Sequence, residues 1–95
     1  MGKQMVLFPD DGGPRFEVKA HPHVELREGR AYIEGSRVPV SRVWSWHRRG
    51  TPIATLFARY PMLGHARVLS ALAFAYDNES FIERDLQLQQ EGAGR

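Results

Sequence analysis

A chain of 95 residues and 10.8 kDa allows one domain with a single modest core and excludes a multi-domain enzyme. Hydrophobic residues make up 42% and charged residues 25%, an ordinary globular composition; with no cysteine, disulfides, Cys-ligated zinc, iron–sulfur clusters and thiol catalysis are excluded together. The net charge of +2 conceals a segregation: residues 35–76 hold Arg37, Arg42, Arg48, Arg49, Arg59 and Arg67 and no acid, while residues 77–95 hold five acids and two bases.

In chain order, Phe16-Glu17-Val18-Lys19 alternates like a strand and follows the turn cluster Asp10-Asp11-Gly12-Gly13-Pro14. With residues 6–8 it forms an extra hairpin, or the whole stretch is an N-terminal arm. Val24-Glu25-Leu26-Arg27 and Arg30-Ala31-Tyr32-Ile33 flank Glu28-Gly29, the pattern of a β-hairpin with a two-residue turn. Pro39 is expected to stop the ladder.

From Val40 the period becomes helical. Val40, Val43, Trp44 and His47 form one core-facing stripe, with His47 read as a core histidine, and Gly50 stands where a glycine ends a helix. Thr51-Pro52 reads as N-cap and first residue of a second helix carrying Ile53, Leu56, Phe57 and Tyr60 inward. Pro61 ends it. A third helix begins near His65 and is expected to bury Val68, Leu69, Leu72, Ala73 and Tyr76, leaving Arg67, Ser70, Ala71, Phe74 and Asn78 on its outer face. Asn78 is a break and cap, and Ser80-Phe81-Ile82-Glu83 matches a capping box opening a fourth helix that frays after Gln87. The domain expected is therefore residues 21–90, with residues 1–20 as the arm or extra hairpin and 91–95 as a frayed tail.

Two short helices joined by Pro61-Met62-Leu63-Gly64 inside a purely basic segment suggest a helix-turn-helix, and a basic block is the footprint of a nucleic-acid surface; the plain alternative is a solvated basic face. On the first reading Arg67 reads bases, while Arg42, Arg48, Arg49 and Arg59 grip phosphates. Trp46 and Phe74 fall off the core stripes of their helices. Either a neighbouring element covers them or they are protein-interface anchors. His21 and His23 lack an acidic partner at metal-ligand spacing, and no nucleophile elbow, phosphate loop or catalytic carboxylate pair occurs, so no metal, cofactor or enzymatic activity is expected. No apolar run nears the roughly 20 residues of a membrane span, and Met5-Val6-Leu7-Phe8 is too short for the apolar part of a signal peptide; a cytoplasmic protein is expected.

Three motifs in order carry a family resemblance. Gly35-Ser36-Arg37-Val38-Pro39-Val40, Tyr60-Pro61-Met62-Leu63 and Ala71-Leu72-Ala73-Phe74-Ala75-Tyr76 resemble the signature of the family known as domain of unknown function 433, over about residues 23–86. The resemblance implies a mainly α, homeodomain-like helix-turn-helix bundle of three to four helices with an N-terminal β-hairpin. It also implies the antitoxin of a type II toxin–antitoxin pair, binding operator DNA and neutralising a PIN-type ribonuclease toxin. The alternative is a protein-interaction module that never touches DNA. Gly64-His65 departs from the family's usual cap at the start of the third helix. Small helical readers bind two-fold operators, so a homodimer is expected, joined through the N-terminal strands, Phe74 or both.

Overall fold

The computed structural model describes residues 4–7 and 16–93. The chain is mainly α. Two antiparallel strand pairs, β1 (Gln4–Leu7) with β2 (Phe16–Lys19) and β3 (Val24–Arg27) with β4 (Arg30–Ile33), precede α1 (Val40–Arg48), α2 (Ile53–Arg59), α3 (Gly64–Asp77) and α4 (Glu79–Ala93). The turn cluster at residues 10–14 and the tail at 94–95 lie outside the described residues.

The β3–β4 register places Arg27 opposite Arg30, so Glu28 and Gly29 alone make the turn. Both have positive φ, 52° and 77°, as the twist-matched two-residue hairpin turn requires. Glycine adopts this at no steric cost, whereas Glu28 is strained. Glu28→Asn is expected to stabilise the fold by about 0.5–1 kcal/mol, because Asn tolerates the left-handed region. A melting temperature lowered by the change would refute that account.

After β4 the chain doubles back. Ile33 N–H donates to Val38 O at 3.0 Å, and Pro39 bridges Tyr32, so Pro39 lies beside β4 as the end of a one-residue extension. The Ser36 hydroxyl donates to Ile33 O and accepts from Val38 N–H, which closes this turn. These contacts give the Gly35-Ser36-Arg37-Val38-Pro39 motif a structural meaning: it reverses the chain and launches α1.

Helix α1 is the centre of the bundle and touches α2, α3, α4 and β4. It buries Val40, Val43 and Trp44 as its periodicity predicts, while His47 is half-buried and shares a 2.6 Å hydrogen bond with the Tyr76 hydroxyl. Gly50, at φ 91°, ends it: Gly50 N–H donates to His47 O and Thr51 N–H to Trp46 O, the paired bonds of a Schellman cap. The cap residue of α2 is Pro52 rather than Thr51, and no side chain caps it. Of its expected stripe only Leu56 is fully buried; Phe57 and Tyr60 pack partly, and Ile53 is exposed.

Helix α3 differs most from its periodicity. Its inward stripe is Val68, Ala71, Leu72 and Ala75, with Phe74 beside it, and Leu69, Ala73 and Tyr76 face outward. Phe74 is fully buried and meets His21 and Phe81 edge-on at 6.0 and 6.3 Å. It fills the space between the β2–β3 connection and α4, so it is a core residue and not an interface anchor. Asn78 breaks the α3–α4 path as expected, and its carbonyl accepts from Ile82 N–H. Its side chain reaches across to Lys19 and back to Phe74. It accepts from Lys19 N–H and donates to Lys19 O and Phe74 O. Of the two expectations for residues 1–20, the strand pair β1–β2 is the extra hairpin, and with Val18 fully buried and the Lys19 main chain held by Asn78, β2 packs on the domain instead of standing apart as an arm. Helix α4 runs on to Ala93, past the expected fraying point.

Candidate nucleic-acid interface

Three of the five predicted arginines gather on one surface. Arg42 and Trp46 of α1 and its C-cap residue Arg49, still in helical conformation, follow i, i+4, i+7 spacing and so share a face. The last residue of α2, Arg59, reaches the same place. Its guanidinium carbon stands 4.1 Å from the Trp46 ring centroid, and that of Arg49 stands 5.6 Å away. What covers Trp46 in part is therefore cationic side chains. Guanidinium planes on an indole keep their outward N–H groups free to meet anions, and the indole fixes their position. Arg42 and Arg49 are exposed, as is Arg37 in the turn before α1.

The other two predicted arginines are placed differently. Arg48 forms an ion pair with Glu83 of α4 and lies over Trp44, whose indole N–H donates to the same carboxylate at 3.3 Å. The Glu83 charge offsets Arg48. A cleft of about 210 Å³ lined by Ser45, Arg48, Arg49, Glu83 and Leu86 adjoins this pair. Arg67 is half-buried on α3, off the exposed face of that helix.

The outer face of α3 carries His65, Ala66, Leu69, Ala73 and Tyr76. His65 stacks flat on Phe57, with centroids 3.8 Å apart. Base edges are read chiefly by Arg, Asn and Gln; this face carries none of them, and its polar groups are His65, stacked on Phe57, and Tyr76, whose hydroxyl is bonded to His47. Ala71, Phe74 and Asn78, expected outside, are buried. Periodicity alone missed the true outer stripe because α3 has two apolar stripes of equal regularity. The alanines at 71 and 75 are fully buried and belong to the inward side.

Elsewhere, His21 pairs with Asp77 at 2.7 Å and His23 with Glu34 at 3.4 Å, so the two histidines serve different partners. No helix among the described residues is long and apolar enough to cross a membrane.

Searches of curated proteins and of solved structures returned no match. A family model described as "Protein of unknown function (DUF433)" matches residues 23–75, the unit from the start of the β3–β4 hairpin to the last turns of α3. That match covers more than half of the chain, and with the hairpin, the Gly35–Pro39 reversal and the α2–α3 pair all inside it, the chain belongs to the DUF433 family.

Proposed function

We propose that this chain is a small regulator of the antitoxin type, which holds the phosphate backbone of its operator DNA with Arg42, Arg49 and Arg59 and engages a toxin of PIN-type ribonuclease fold elsewhere on its surface. The observation that supports DNA contact is the convergence of Arg49 and Arg59 on Trp46, beside exposed Arg42, within an acid-free segment. The chemistry is backbone grip rather than base reading, because the exposed face of α3 carries no Arg, Asn or Gln, the side chains that read base edges best. Affinity is then dominated by counterion release and falls steeply with salt.

Mobility shift on the gene's own upstream region and on random duplex, over a range of salt concentrations, tests the reading. Replacing Arg42, Arg49 and Arg59 together by alanine is expected to lower the slope of log affinity against log salt by up to about three, near 0.9 per lost phosphate contact. Arg67→Ala is expected to leave the slope unchanged. Absence of binding to either duplex at low salt would overturn DNA contact. It would leave the second reading, a protein-interaction module without DNA, which the exposed Leu69 and Tyr76 favour.

A further inference from the structure

We infer that the outward stripe of α3 packs antiparallel on the same stripe of a second copy of this chain, forming a two-fold dimer. The inference does not depend on the arginine face.

Ala66, Leu69, Ala73 and Tyr76 recur at spacings of three, four and three, which aligns them along one seam of α3. All four are exposed; Leu69 is 49% and Tyr76 56% accessible, and Met62, 93% accessible, extends the apolar surface ahead of the first turn. Tyr76 is an anchor already held in place. Its hydroxyl is bonded to His47 and its ring meets Trp44 edge-on at 4.9 Å, so little freedom remains to be lost on docking. A seam of this kind on a core helix of a small domain is covered in the functional state.

The alternation of small and large residues selects the partner and its direction. In a parallel pair each residue meets its own copy, so Ala–Ala gaps alternate with Leu–Leu and Tyr–Tyr collisions, and no single helix separation suits every layer. In an antiparallel pair centred between Leu69 and Ala73, Leu69 meets Ala73 of the second copy and Tyr76 meets Ala66. Every layer then holds one large and one small side chain, and the helices can approach evenly. A self-complementary surface of this kind is what an isologous two-fold contact requires.

Charge agrees with this direction. Helix α3 has no acid in its first turn and no base in its last, where Asp77 sits at the negative end of its own helix dipole. In this register the positive N-terminal end of the antiparallel neighbour brings its His65 level with Asp77, whose carboxylate also pairs with His21 of its own chain. A 14-residue helix is roughly 21 Å long, which places the pair at the small end of specific interfaces; the expected dissociation constant is on the order of micromolar.

Sedimentation of the full chain without DNA, across about 1 to 100 µM, should show exchange between 10.8 kDa and twice that mass. Leu69→Glu should raise the dissociation constant about a hundredfold, since each dimer loses two buried leucines and gains two carboxylates. Its helical circular dichroism should be retained, because the site is at the surface. The absence of native cysteine allows a test of direction. When Leu69→Cys and Ala73→Cys variants are mixed and mildly oxidised, mass spectrometry should show the mixed disulfide in excess over both self-disulfides. A chain that stays monomeric at the highest concentration, a dimer indifferent to Leu69→Glu, or preferential self-disulfides would each overturn the inference. None of these outcomes bears on the salt-dependent mobility shift.

Discussion

Phe74→Ala is expected to destabilise the domain by about 3–5 kcal/mol, a large share of the total stability of a chain this size. The phenyl ring is fully buried between His21 and Phe81, and its removal leaves a cavity bounded by three separate segments that cannot all close in. Chemical denaturation should show an early midpoint with an unchanged slope. A loss below about 1 kcal/mol would mean that the site collapses around the smaller residue or that the ring is not packed as described. A polar replacement such as Phe74→Ser adds desolvation of the hydroxyl, so it reports on folding and cannot be used to probe association.

Asp85 gives the second large effect. The residue is 2% exposed, and burial pushes its carboxyl up from 3.8 to about 6, against the opposing pull of Arg30 and Arg84. Arg30 Nε lies 3.3 Å from Oδ1, near enough for an ion pair, yet neither oxygen receives a hydrogen bond among the described residues. The folded state thus holds this proton more tightly than the unfolded chain. Between about pH 4 and pH 6 the folded form binds more protons, so this group's contribution to stability falls as pH rises through that window and is level above it. At neutral pH the burial of the charge costs about 2–3 kcal/mol. Asp85→Asn keeps the shape without the charge. It is expected to raise the melting temperature at pH 7.5 by on the order of 10 °C and to remove this segment of the pH profile. If the variant melts below the native chain at pH 7.5, the Arg30 pair outweighs desolvation and the assignment fails.

What could be read from the residues, and what could not, follows the range over which each signal acts. The β3–β4 hairpin is legible because Glu28-Gly29 and the flanking alternation are local. So is the end of α1, where Gly50 alone supplies the left-handed residue. The face of α3 is not local. Leu69 and Tyr76 are the bulkier residues of their stripe and attract an inward reading. The choice is made by Phe74, which has to fill the space between residues some fifty positions upstream and α4. The candidate site divides the same way. Trp46 and the arginines stand out in the sequence as an acid-free block, and the off-stripe position of Trp46 is visible from spacing alone. That Arg48 is neutralised by Glu83, thirty-five residues later, is a tertiary fact no pattern near Arg48 records.

The amide of Asn78 has a consequence for how this chain relates to its family. The shared unit covers residues 23–75, yet Asn78 lies after it and Lys19, whose main chain it grasps at both N–H and C=O, lies before it. His21 and Asp77, again one on each side, form a second such link. The two extensions clasp one another across the unit's end instead of each adding independently to it. A relative with only one of them leaves a polar amide or an open strand without its counterpart, so a head and a tail of this kind are expected to be inherited, lost or exchanged together.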